Sequence, residues 1–241
     1  MRSSSAAGSS TGAMRGILLR VSTVASVNVS PVRTFEVGGK EIRSAILKAP
    51  VGGRVMVRAL GVDGDAQADP RYHGGEEKAV YLYGAEHYAF WRSRIRGETL
   101  ARLGGLPFGI FGENLTIDGL GDLERALHVG DVLAIGDAQL ELTTPRQPCW
   151  KLETRFAIPD FARAFLGSGR IGCYARVRRE GLVGAGDSVR VAERLDHSIP
   201  LADLILALYF RDEAAQARAL ASTSLPEKLR KRIGRKFDLE E

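Results

Sequence analysis

Between about Arg15 and Val191 the apolar residues fall into short runs, ILLRVSTVASVNV, RVMVRAL, AVYLY, DVLAIG, AQLELTT, ARVRRE and SVRVAE. Runs of this length, rich in β-branched residues and separated by glycine, predict a β-rich domain with a curled or barrel-like sheet. Gly38-Gly39, Gly52-Gly53, Gly64, Gly136-Asp137 and the GAGD stretch ending at Asp187 stand where such strands must turn. The spacing becomes helical from Ala85 through Glu86, Tyr88, Ala89, Trp91 and Arg94, which predicts one helix among the strands, and Pro159 to Leu166 predicts a second, short one.

After Asp196 the pattern changes. Leu201, Leu204, Ile205, Leu208 and Tyr209 follow helical periodicity, Glu213 to Ala221 is alanine-rich, and Leu225-Pro226 opens a third amphipathic stretch. The organisation expected is a disordered tail over residues 1–14, a mainly β (α+β) barrel-like domain over 15–196, and a small three-helix appendage over 197–241. No repeat of solenoid or propeller length runs through the chain.

Composition narrows this picture. A chain of 241 residues, 44% hydrophobic and 26% charged, can bury a substantial core. It contains neither a signal-peptide pattern nor the roughly 20 consecutive apolar residues of a membrane span, so the cytoplasm is the expected location and no membrane partner is expected. Two cysteines allow at most one bridge, which suits a reducing compartment and leaves both thiols for other chemistry. The net charge of +5 and pI near 9.4 give a modest affinity for anions, partly concentrated in KLRKRIGRK. That segment permits nucleic-acid binding without indicating it; an amphipathic helix packed through Leu229 and Ile233 accounts for the same residues.

Three segments carry polar side chains that suit chemistry. In Thr143-Thr144-Pro145-Arg146-Gln147-Pro148-Cys149-Trp150-Lys151 two prolines stiffen the backbone on either side of Arg146, and cations flank Cys149. Such flanking charge favours the thiolate, which ligates soft metals, although a buried cysteine equally serves packing. In the loop GDAQADPRYHGG, Gly74 and Gly75 beside His73 allow close approach of a ligand; a surface loop with a hydrogen-bonded histidine explains it equally. In FGIFGENL, Glu113 and Asn114 could read the edge of a heteroaromatic ring or stabilise a turn. There is no phosphate-binding loop of the Walker type, no paired CxxC and no GxSxG, and His73, His87, His128 and His197 are scattered.

Taken in order, GDAQADPRYHGG, EKAVYLY, EHYAFW, FGENLTIDGL, VGDVLAIGDAQLELTTPRQPCWKL and GAGDSV resemble the MOSC family, named for the C-terminal domain of molybdenum cofactor sulfurase, and within it the YiiM-like branch. The resemblance spans about residues 24 to 190, and the appendage is similar to that branch's three-helix C-terminal domain. It implies a MOSC β-barrel-like fold in which Cys149 ligates the molybdenum of a pyranopterin cofactor, with no call on pyridoxal phosphate. Cys173, in GRIGCYARV, is left to packing. For the cofactor pocket the family pattern points to His73, Gly74, Gly75, Glu113, Asn114 and Arg146, with Lys48, Lys78 and Lys151 as further contributors. Pro70 departs from the pattern in the loop leading to His73.

The activity implied is that of a molybdoenzyme oxidoreductase reducing small N-hydroxylated compounds such as hydroxylamino-purines, with Cys149 and His73 as catalytic residues and His73 a proton donor. No dinucleotide fingerprint or multi-cysteine cluster motif accompanies it, so electrons are expected from an external ferredoxin- or flavodoxin-type reductase. The rival is a cofactor carrier or sulfur-transfer protein in which Cys149 bears a persulfide.

Overall fold

The computed structural model describes residues 22–37, 39–68 and 74–235. The tail expected over residues 1–14 lies outside them, as do Pro70 and His73. The strands before the midpoint are β1 (Ser22–Val29), β2 (Arg33–Val37), β3 (Lys40–Ser44), β4 (Ala49–Pro50), β5 (Arg54–Arg58), β6 (Gly61–Val62), β7 (Val80–Gly84) and β8 (Leu115–Asp118). They are followed by β9 (Val132–Ile135), β10 (Ala138–Pro145), β11 (Cys173–Arg179), β12 (Gly181–Gly184) and β13 (Ser188–Glu193). The helices are α1 (His87–Arg92), α2 (Gly97–Arg102), α3 (Leu123–Ala126), α4 (Trp150–Phe156), α5 (Phe161–Gly167), α6 (Leu201–Ile205), α7 (Glu213–Ala221) and α8 (Glu227–Arg230).

Seven strands close into a barrel in the order β13-β9-β10-β11-β7-β8-β1, with β1 returning to β13 through Ser22↔Val189 and Thr23↔Ser188. The alternation read in AQLELTT becomes β10, where Ala138, Leu140 and Leu142 are buried and Gln139 and Glu141 are partly exposed. The run VYLYG is buried at every position because β7 is covered on both faces. Among the described residues, β7 and β8 form the parallel pair of the barrel, and a parallel pair needs a crossover. Residues 85–114 supply it, through α1 and α2, and this crossover delivers the FGEN segment to the start of β8.

Aromatic side chains fill the space between β7 and the helices. Phe111 stacks on Phe156 of α4 and Phe165 of α5 at centroid distances of 5.3 and 5.4 Å, and Trp91 of α1 stacks on Phe165 at 5.5 Å. Trp91 Nε1 donates to Tyr83 Oη at 2.9 Å, so the indole is buried without an unmet donor. Each such ring contributes on the order of 1.5–3 kcal/mol by leaving water. The helix expected over Ala85–Arg94 is α1, and that expected over Pro159–Leu166 is α5; α2, α3 and α4 carry no expectation from the apolar pattern.

In the C-terminal segment Leu201, Leu204, Ile205 and Leu208 are buried, and they join the barrel's own apolar core. The seam is hydrogen-bonded: Leu201 N–H donates to Leu127 O at 2.9 Å, and Tyr209 Oη donates to Pro145 O at 3.4 Å. Among the described residues no helix is long and apolar enough to cross a membrane.

Candidate functional site

Strand β10 ends at Pro145, and the next residue is tied back to the barrel by Arg146 N–H donating to Gly172 O at 3.1 Å. The chain then runs extended through Cys149 (φ −132°, ψ 165°) before turning into α4. Cys149 is 8% exposed and opens on a cleft. Six of the residues expected from the sequence line it: Lys48, Lys78, Asn114, Arg146, Cys149 and Lys151. Asp65, Tyr81 and Tyr174 line it as well, and none of the three carries an expectation from the sequence.

Among the described residues four cations thus face one carboxylate, and that carboxylate is already engaged. Asp65 pairs with Lys48 in a buried ion pair, while its oxygens also accept from Ser30 N–H at 3.0 Å and Asn114 Nδ2 at 2.9 Å. Burial pulls the Lys48 pKa below its ordinary value, and the Asp65 carboxylate opposes that shift. Arg146 has no carboxylate partner among the described residues. Its guanidinium donates to Phe111 O, lies 4.5 Å over the Tyr81 ring, and keeps a buried Nε with no partner. Burial opposes its charge, but Tyr81, Tyr174 and Cys149 outweigh burial, and its pKa rises above the ordinary value. A buried cation with a spare donor, beside a thiol, suits an anionic ligand that also presents a soft metal.

Asn114 clamps the wall of the cleft. Its Oδ1 accepts from Tyr81 N–H at 3.1 Å, and its Nδ2 donates to Asn28 O at 3.4 Å as well as to Asp65. Glu113 points the other way. It is fully buried, and one oxygen accepts from Tyr88 Oη, from Gly109 N–H at 2.8 Å and from Thr116 Oγ1 at 2.9 Å. Its second oxygen has no partner, and Glu113 does not line the cleft. This carboxyl fixes the Gly109 turn, where φ is +86° and an added Cβ would come within 3.0 Å of the Lys48 carbonyl oxygen. Gly74 and Gly75 are described but do not line the cleft, and His73 lies outside the described residues. Cys173 is fully buried in β11 beside the Glu124 carboxylate, and burial pushes its thiol well up.

Burial also raises the Glu113 pKa. The folded chain therefore holds this proton at pH values where the unfolded chain has released it, so the stabilisation is complete below the ordinary carboxylate range and is lost as pH rises through the raised value. Glu113→Gln cannot titrate. It is expected to gain stability relative to wild type as pH rises from about 4 to about 8, read by urea denaturation; a difference that stays constant across that range would contradict a buried, titrating Glu113.

The closed barrel and its cleft define a protein in which, among the described residues, a thiol stands among several cations and a paired carboxylate. The chain belongs to the MOSC domain family, whose model matches residues 69–190. It is 35% identical over 218 residues to the uncharacterized protein YflK of Bacillus subtilis, covering 90% of this chain and 95% of YflK. It is 35% identical over 180 residues to a protein of Gibberella moniliformis named as a reductase, covering 74% of this chain but only 30% of that one. The crystal structure of YiiM from Geobacillus stearothermophilus superposes with a TM-score of 0.65 at 28% identity, covering 87% of this chain and 96% of YiiM. The fold is thus that of the YiiM-like branch, and the MOSC domain is related to molybdenum cofactor sulfurase.

Proposed function

We propose that the chain is a molybdenum-cofactor-dependent oxidoreductase that reduces N-hydroxylated compounds such as hydroxylamino-purines. The observation that carries this reading is Cys149 in one cleft with Arg146, a buried guanidinium with a partnerless Nε. Among the described residues no three His, Cys, Asp or Glu side chains gather as a metal site, so a single thiol suits a metal whose other ligands come from its own cofactor. The family and the relative named as a reductase support the same reading.

When bound, the cofactor would supply the two-electron chemistry of N–O cleavage, in which an N-hydroxylamine takes up two electrons and two protons and yields the amine and water. The chain's residues hold and orient. Cys149 offers the thiolate; Arg146, Lys48, Lys78 and Lys151 offer charge to the pterin and its phosphate; Asn114, through Asp65, keeps Lys48 at the cleft. His73, with Gly74 and Gly75 following it, is assigned proton delivery and close backbone approach on the family resemblance. Electrons are assigned to an external ferredoxin- or flavodoxin-type reductase, with the cytoplasm as the compartment.

The test is molybdenum content, by elemental analysis, of wild type and Cys149→Ser produced in a host that makes the cofactor, followed by reduction of 6-hydroxylaminopurine with a reduced viologen as donor. Near-stoichiometric metal in wild type, its loss in the variant and turnover by wild type alone are expected. Metal without turnover would move the assignment to a cofactor carrier, and no metal in either protein would overturn it.

A further inference from the structure

A second cavity lies between β10, β11 and the segment around α8. The geometry points to a phosphate-monoester subsite here, placed to take the phosphate of a purine nucleotide whose base lies in the neighbouring cleft. The base position rests on the proposed function; the phosphate position does not.

The two cavities adjoin. Lys78 lines both, and its Nζ lies 5.8 Å from the centre of the Tyr174 ring. Tyr174 lines the cleft and Arg176 the second cavity, and residues two apart on a strand share a face at a spacing of about 7 Å. One nucleotide can bridge that interval between base and phosphate.

Charge sets the class of ligand. Lys78, Arg176, Lys228 and Arg232 line the cavity together with Glu77 and Glu141. Both carboxylates are engaged: Glu141 by Arg176 at 2.6 Å and by Arg178 at 2.8 Å, Glu77 by Lys228 at 3.1 Å. The Nε of Arg176 is buried and has no partner, so a donor is left over. Burial, then the nearby charges of Arg232 and Lys228, lower the Lys78 pKa, and Glu77 opposes that repulsion. An anion between them would relieve that repulsion. A phosphate monoester carries a charge of about −1.5 to −2 at neutral pH and several acceptor oxygens, which suits guanidinium and ammonium groups converging on one space.

Isothermal titration of the full chain with AMP and with adenosine tests this without any turnover, so it is independent of the reductase assignment. AMP is expected to bind at least about tenfold more tightly than adenosine, and Arg232→Gln or Lys228→Gln, both outside the cofactor cleft, to weaken AMP by about tenfold. Repeating the titration on cofactor-loaded protein assigns the source of the phosphate. Affinity retained on loading and still lowered by Arg232→Gln places a nucleotide phosphate there, whereas affinity lost on loading would overturn a substrate subsite. Equal binding of AMP and adenosine, or AMP affinity unchanged in both variants, would overturn it.

Discussion

Gly172→Ala is expected to destabilise the fold by about 3 kcal/mol or more, and to lower Tm by roughly 6–12 °C for a chain of this size. Gly172 has φ +67°, a conformation that costs an L side chain about 1–2 kcal/mol. Space is the larger problem. An added Cβ would fall well inside contact distance of Leu82 O, with Tyr81 Cε2 at 2.8 Å and Tyr83 Cδ2 at 3.1 Å. Leu82 O belongs to a fully buried barrel strand and cannot swing aside as a flexible side chain would. The residue is also held on both sides, its N–H donating to Glu124 Oε1 at 2.7 Å and its carbonyl accepting from Arg146 N–H. Displacement would therefore pull on the segment carrying Cys149, so weaker cofactor retention should accompany the lower Tm. Gly97→Ala is the control, because nothing lies within 4 Å of a Cβ there. Thermal denaturation of the two variants checks the contrast, and a loss below about 1 kcal/mol at Gly172 would mean that β7 yields.

The placement of these residues was only partly legible in the sequence. Strands β1, β5, β7, β9, β10, β11 and β13 correspond to apolar runs, because each buries a face against the core. Helix α4 begins immediately after Cys149; Leu152 and Phe156, four apart and both buried, carry its helical signal, too short to stand out against the prolines before them. The GLVG and LTID strands, β12 and β8, are only four residues long, and so brief a run carries no clear period.

The cleft depended on pairing, which single-segment patterns do not encode. Tyr81 and Tyr174 stand opposite each other because β7 and β11 pair in that register, although Tyr81 lay in a run already read as a strand and Tyr174 directly before one. Asp65 belongs to the loop containing His73, but its ion pair with Lys48 and its bond to Asn114 join residues 17 and 49 positions apart. Glu113 and Asn114 looked alike as ring-reading groups. At the entry to β8 they diverge, Asn114 toward the cleft and Glu113 into the core, so of the two only Asn114 lines the cleft.

Arg146→Met separates stability from ligand retention. Arg146 is 5% exposed, pairs with no carboxylate among the described residues, and leaves Nε without a partner, so the free fold keeps an incompletely compensated buried charge. Methionine has similar reach and no charge, and replacing a buried ion by an apolar group of like volume is often neutral or stabilising. The offsetting loss is the bond to Phe111 O, worth about 1–3 kcal/mol if that carbonyl stays unmet. A Tm within a few degrees of wild type is therefore expected, together with at least about a hundredfold loss of cofactor affinity, since even outer-shell partners of a metal site carry 10–100-fold. Arg146→Lys keeps the charge but cannot serve Phe111 O and a ligand through one planar fork, so it should recover only part of the loss. Molybdenum content and Tm measured on the same preparations give the answer: a folded, metal-poor methionine variant with an intermediate lysine variant is the expected pair, whereas full metal in the methionine variant would remove Arg146 from the cofactor site.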